Sequence, residues 1–110
     1  MSGSKYHARK VMVDGHNFDS VKEAARYSVL MQKQERGEIS GLELQPEFRL
    51  IPAQRGKTRS ERAVMYRADF RYRGADGMEH VEDVKGVRTR EYMLKRKLML
   101  YIHGIEVEEV

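Results

Sequence analysis

Two runs rich in β-branched and aromatic residues, Val64 to Arg73 and Met78 to Lys85, flank the tetrapeptide Gly74-Ala75-Asp76-Gly77. That arrangement predicts a β-hairpin, because glycine supplies the backbone conformations that a tight reversal demands. A hairpin constrains the chemistry of the chain, since it decides which side chains share a face. Side chains on a strand alternate, so Asp83 and Lys85 project together and Glu82 projects away, where it reads as structural. Pairing of the two strands lets Asp69 join Asp83 and Lys85. Two carboxylates and one ammonium then meet in a small volume, which is costly to bury unless the charges are paired or a metal is bound. Oxygen donors at this density suit a hard cation such as Mg²⁺. The competing reading is a pair of surface aspartates at a sheet edge, with Lys85 as their salt-bridge partner.

The remaining elements are read from local signals. Val11–Val13 reads as a short strand ending at the turn Asp14-Gly15. A first helix is capped by Asp19 or Ser20, and Glu23 completes a capping box with Ser20. Its core face is Ala24, Tyr27, Leu30 and Met31, and Gly37 stops it. Leu42 to Ile51 reads as a strand with Leu44, Phe48 and Leu50 as apolar contacts, interrupted or placed at an edge by Pro46. Residues 52–62 read as a polar, basic loop. A second helix starts at Thr89 or Arg90 and ends at His103, with Leu94, Leu98, Tyr101 and Ile102 as its apolar stripe and Gly104 at C′. Ile105 and Val107 alternate with glutamates in a last strand. The methionines read as core filling. The expectation is a flexible basic tail over 1–10 and one α/β domain over 11–110, with order α-β-β-β-α-β.

Charge narrows the partners. The chain carries +4 overall, with 35% charged residues. Residues 84–97 hold six basic residues against one glutamate, a net of +5, and residues 53–62 hold four against one, a net of +3. Basic charge therefore gathers beside the acidic cluster, where an anionic substrate needs it. The absence of cysteine excludes a disulfide framework, a thiol nucleophile and a Cys-ligated zinc. His7, His80 and His103 have no metal-binding spacing, and His16 lies in a polar turn. No apolar run is long enough to span a bilayer and the N-terminus lacks a signal-peptide core, so a cytoplasmic protein with no membrane partner is expected.

Asp69 followed by Asp83-Val84-Lys85, in this element order, resembles the PD-(D/E)xK nuclease superfamily. The closer resemblance is to small phage-encoded members related to Holliday junction resolvases. It rests on Asp14-Gly15-His16-Asn17-Phe18-Asp19-Ser20-Val21-Lys22-Glu23, Leu44-Gln45-Pro46, Ala68-Asp69-Phe70, Val81-Glu82-Asp83-Val84-Lys85-Gly86 and the Lys-rich segment from Tyr92 to Leu98. It covers almost all of the chain beyond residue 10. Ala68 stands where the family pattern often has proline. The resemblance implies a restriction-endonuclease-like core, a mixed β-sheet flanked by helices, in a protein acting in the cytoplasm of a bacterial host.

It also implies roles. Asp69 and Asp83 hold Mg²⁺ or Mn²⁺, with the Val84 carbonyl as a further ligand and Lys85 positioning the attacking water or offsetting charge in the transition state. No organic cofactor is implied. Glu23 reaches the metal directly or through water, or else serves only its helix cap. Gln45 contacts a metal-bound water or phosphate, or is satisfied by backbone. Lys95 and Lys97 point to different faces, and Lys95 is preferred for the site. Lys5, Arg9, Lys10, Arg55, Lys57, Arg59, Arg62, Arg88, Arg90 and Arg96 are candidates for nucleic-acid contacts, the tail and the 55–62 loop for sequence-independent phosphate contacts.

The expected function is a metal-dependent endonuclease on DNA, structure-selective for branched intermediates and acting as a homodimer. The alternatives are a DNA-binding protein that keeps the fold without turnover, an RNA-directed nuclease, and a phage assembly component with an incidental acidic cluster.

Overall fold

Glycine makes the central reversal where the sequence asks for it. Gly77 has φ of 78°, and the Gly74 N–H donates to the Met78 carbonyl at 2.9 Å. The computed structural model describes residues 10–85 and 87–110, so the expectations for Lys5 and Arg9 lie outside the described residues. In chain order the elements begin with β1 (Val11–Val13), β2 (His16–Phe18), α1 (Val21–Glu35) and β3 (Ile39–Leu44). Then come β4 (Glu47–Ile51), β5 (Gln54–Arg55), β6 (Ser60–Glu61) and β7 (Val64–Arg67). The hairpin itself is β8 (Phe70–Gly74) and β9 (Glu79–Asp83), succeeded by α2 (Arg90–Leu98), a π-helical turn (Met99–His103) and β10 (Glu108–Glu109). The fold is mixed α/β.

The main sheet has strand order β10-β9-β8-β3, with β10 parallel to β9 and the other pairs antiparallel. In the hairpin Phe70 pairs with Glu82 and Arg73 with Glu79. The expected strands 42–51 and 64–73 are each split. β3 and β8 belong to the main sheet, whereas β4 and β7 form a second ladder. The two ladders meet at one bend, where the Gln45 N–H donates to the Asp69 carbonyl at 2.9 Å and the Ala68 N–H to the Pro46 carbonyl at 3.1 Å. Pro46 has no N–H to continue the ladder, and Gln45 takes φ of 51°, a left-handed value that a non-glycine residue adopts at some cost. Beyond β4 and β7 the pairing continues: β5 and β6 turn the expected 52–62 loop into the tip of a long hairpin.

Two apolar clusters lie on opposite faces of the main sheet. One joins Phe18, Ala24, Tyr27 and Leu30 to Phe70 and Tyr72. The other joins Phe48, Leu50, Tyr66, Val81, Tyr92 and Met99. Burying a side chain such as Phe70 or Leu30, both fully enclosed, contributes about 1.5–3 kcal/mol. Glu82 is buried on the α1 side, 1% exposed, and is fully paired. Arg26 donates to it through Nε at 2.7 Å and Nη2 at 2.6 Å, and the Tyr72 hydroxyl donates as well. Glu82 is thus structural, and it ties α1 to β9.

The second helix differs most from expectation. Thr89 caps it, accepting from the Tyr92 N–H at 3.1 Å, and Gly104 ends the π turn at φ of 68°. Its core face is Tyr92, Met99 and part of Leu98. Of the expected stripe, Leu94, Tyr101 and Ile102 are 59%, 82% and 47% exposed. The π turn inserts extra residues per turn and so changes the phase, while Tyr92 is drawn inward by its hydroxyl bond to Glu109 at 2.8 Å. The methionines also correct the reading: Met99 is fully buried, but Met12, Met65, Met78 and Met93 are exposed.

Candidate metal and catalytic site

The bend between the two ladders and the N-terminal end of α1 enclose a cleft of about 870 Å³. Glu23, Asp69, Asp83, Val84 and Lys85 line it, together with Gln45 and Lys95. Each arrives on a different support. Asp69 sits in the break between β7 and β8, Asp83 ends β9, and Glu23 occupies the first turn of α1.

Asp83 is 4% exposed and doubly engaged. The Tyr66 hydroxyl donates to its Oδ2, and Lys85 Nζ lies 3.2 Å from its Oδ1. Asp69 accepts the Val84 N–H at 2.6 Å. Burial pushes the Asp69 carboxyl up to about 8; the Val84 bond opposes this, and the nearby Asp83 and Glu23 carboxylates add to it. Glu23 is also 4% exposed, and its pKa is raised by burial first and by the Asp19 charge second, with a smaller contribution from Asp83.

Glu23 takes part in the helix cap and also lines the cleft. Its N–H donates to Ser20 Oγ at 3.0 Å, which caps the helix. Its carboxylate is turned into the cleft, and Oε2 is buried without a hydrogen-bond partner. A buried acceptor left unpaired costs roughly 1–3 kcal/mol, so this atom suits an incoming cation or water.

Among the described residues, no group of three or more His, Cys, Asp or Glu side chains is already arranged to hold a metal ion. The carboxylates are instead compensated by Tyr66, Lys85 and the Val84 N–H. The donor set nevertheless fits a hard cation: three carboxylates share a cleft, and one oxygen is orphaned.

Residues 3–107 match the profile of a family described as proteins of unknown function, DUF1064. The chain belongs to the DUF1064 family. No curated protein and no solved structure matches it.

Two residues of this DUF1064 member that sequence reasoning passed over complete the cleft. Tyr66 holds Asp83, and Tyr92 offers its ring to Lys85, whose Nζ stands 3.9 Å from the ring centre. Strand parity offered little to reveal Tyr66, because the break at Ala68-Asp69 changes the phase. Tyr92 lies within the Lys-rich segment, but only the helix phase shows which way it faces.

The basic residues divide. Arg55, Lys57, Arg59 and Arg62 are exposed on the hairpin tip, with Arg59 paired to Glu61 at 2.9 Å. Lys10 and Arg90 are exposed. Arg88 and Arg96 each contact Glu109 at 2.7 Å. Lys95 pairs with Glu91 at 3.1 Å at the cleft wall, and Lys97 lies off the cleft. No described helix is long and apolar enough to cross a membrane.

Proposed function

We propose that this protein is a divalent-metal-dependent endonuclease that hydrolyses DNA phosphodiester bonds, on a restriction-endonuclease-like core. The observation that carries this reading is the sharing of one cleft by Glu23, Asp69, Asp83 and Lys85, with Glu23 Oε2 buried and unpartnered. The four-stranded mixed sheet with helices on both faces supports the core assignment.

Asp69, Asp83 and Glu23 would hold Mg²⁺ or Mn²⁺, with the Val84 carbonyl as a further donor. Such an ion would supply Lewis acidity toward the phosphodiester and toward a water molecule. Lys85 orients the attacking water and offsets charge that develops on the phosphoryl oxygens. Tyr66 keeps Asp83 in place. Gln45, at the cleft edge, contacts a phosphate or a water. The hairpin tip at Arg55, Lys57, Arg59 and Arg62 grips backbone phosphates without reading bases.

The proposed substrate is branched DNA, a Holliday junction or another recombination or replication intermediate, addressed by a homodimer whose two sites meet two strands. The protein is incubated with linear duplex, single strand, four-way junction and RNA, each with Mg²⁺, Mn²⁺ or EDTA. Metal-dependent cleavage with preference for the junction is expected, and Asp83→Asn abolishes it while keeping DNA affinity. Binding without cleavage in every condition favours a DNA-binding protein that retains the fold, and cleavage of RNA alone favours an RNA-directed nuclease. Cleavage by Asp83→Asn at the wild-type rate removes the site assignment.

A further inference from the structure

The ladder between β8 and β9 runs out at Glu82, opposite Phe70. Asp83 and Lys85 lie past that point, so another element must hold their backbone. That element is β10. It runs parallel to β9 at the edge of the main sheet, with Glu109 opposite Asp83. The N–H of Val110, the next residue, donates to the Asp83 carbonyl at 3.1 Å, and the Lys85 N–H donates to the Val110 carbonyl at 3.4 Å. A two-residue strand at a sheet edge, with so few backbone bonds, opens easily when nothing else ties it down.

Glu109 supplies the tie. Its side chain is only 18% exposed, and its carboxylate collects three donors. Arg88 donates through Nε at 2.7 Å, Arg96 through Nη1 at 2.7 Å and the Tyr92 hydroxyl at 2.8 Å. Arg88 precedes α2, and Tyr92 and Arg96 lie on it one turn apart. One carboxylate thus fastens β10 to α2. Tyr92 in turn presents its ring to Lys85 Nζ at 3.9 Å from the ring centre. Glu109 therefore reaches Lys85 by two routes, through the backbone of β10 and through the ring of Tyr92. Side chains alternate along β10, and Glu108 instead meets His80 Nδ1 at 2.6 Å, three residues before Asp83. That contact steadies the strand away from the cleft.

We propose that Glu109 is a positioning residue for the cleavage reaction: it clamps β10 and Tyr92 together and so sets the backbone of Asp83 and Lys85 and the direction of the Lys85 ammonium. The chemistry of this inference rests on the nuclease reading; the clamp rests on the hydrogen bonds alone. Loss of the Tyr92 hydroxyl removes one of its three bonds, whereas loss of the carboxylate removes all three.

The test compares the full-length wild type with Glu109→Ala, and with Glu106→Ala as a control that removes a neighbouring exposed charge outside the clamp. Glu109→Gln, equal in size, carries the same comparison if the alanine variant does not fold. Amide hydrogen exchange is measured without metal or DNA. Exchange at Lys85 and Val110 is expected to rise at least about tenfold in Glu109→Ala, with Gln45 and Ala68 unchanged. Single-turnover cleavage of the four-way junction with Mg²⁺ is then measured at saturating enzyme, beside DNA affinity. The rate constant is expected to fall at least about tenfold, from misplacement of a reacting group. Affinity is expected to hold or tighten, because Arg88 and Arg96 are released. A purely structural defect lowers the amount of competent enzyme and leaves the rate constant of the folded fraction intact. Unchanged exchange at Lys85 and Val110 overturns the inference. So does raised exchange with an unchanged rate constant, a loss confined to DNA affinity, or an equal effect of Glu106→Ala. A wild type that cleaves nothing, beside raised exchange in Glu109→Ala, removes the nuclease reading and with it the positioning role, and leaves the clamp.

Discussion

Lys85 is pinned between an acid and an aromatic ring, its Nζ 3.2 Å from Asp83 Oδ1 and 3.9 Å from the centre of Tyr92. The carboxylate fixes the charge, and the ring fixes the direction from which the ammonium faces the cleft. A cation over a ring is stabilised by about 0.5–2 kcal/mol. When a metal takes up Asp83, the ring remains to hold Lys85. Tyr92→Phe keeps that face and is expected to retain cleavage within a few-fold. Tyr92→Leu removes it and is expected to slow single-turnover cleavage by about 10²-fold, the scale of loss for a small misplacement of a reacting group. Lys85→Met abolishes cleavage. Melting temperatures measured alongside separate misplacement from unfolding.

Asp69 makes metal-free stability depend on pH. Its folded pKa of about 8 lies above the ordinary 3.8. Folding therefore favours the protonated form. The associated stability is complete below the unfolded value and is lost as pH rises through about 8. The melting temperature of the metal-free wild type is expected to fall by several degrees between about pH 6 and about pH 9. Asp69→Asn flattens that fall, and saturating Mg²⁺ reverses it in the wild type but not in the variant. A wild-type melting temperature that stays level across this range, measured in EDTA, contradicts the buried-carboxyl account.

Arg26 and Glu82 form a largely enclosed ion pair, with Glu82 1% exposed and Arg26 26%. Removing Arg26 leaves Glu82 unpaired in the interior, whereas Arg26 keeps access to water when Glu82 is removed. Arg26→Ala is expected to cost about 3–5 kcal/mol of stability, the range for leaving a buried charge unpaired, and Glu82→Ala less. The double variant, Arg26→Met with Glu82→Leu, should cost less than Arg26→Ala, because no charge is stranded. Urea denaturation of the four proteins gives the comparison. Because the pair sets the distance between α1 and β9, the single variants also loosen the approach of Glu23 to Asp83.

The hairpin tip acts through phosphates, so its contribution should be electrostatic and blind to sequence. Replacing Arg55, Lys57, Arg59 and Arg62 with Ala is expected to weaken DNA binding for every sequence tested. The salt dependence of log K should flatten by about 0.9 for each duplex phosphate that the variant no longer neutralises. Titrations at several salt concentrations check this. An unchanged slope removes the tip from the interface.

Some of this was legible in the primary structure. Gly74 to Gly77 marked the reversal, Ser20 and Thr89 the helix starts, and Gly104 the end of the π turn, because caps and turns depend on the chemistry of neighbouring residues. The opposite faces of Glu82 and Asp83 could be read from strand alternation alone. The outer face of α2 could not: Leu94 and Tyr101 have the composition of core residues, and a π turn that changes helix phase leaves no simple hydrophobic period. The splitting of two expected strands at Gln45-Pro46 and Ala68-Asp69 was signalled only on the Pro46 side.

By itself, the amino-acid order determined the local pieces and the chemical inventory: the hairpin, the caps, an acidic cluster beside basic segments, and a chain without thiols. The tertiary structure alone decided that Glu23 joins Asp69 and Asp83 in one cleft, that Tyr66 and Tyr92 brace the Asp83–Lys85 pair, and that one face of α2 stays uncovered. Local signals act over a few residues, where backbone geometry is fixed. The meeting of residues 23, 69 and 83 depends on how two ladders bend and how a buried arginine draws a helix onto a strand, and those distances are set by packing across the whole chain.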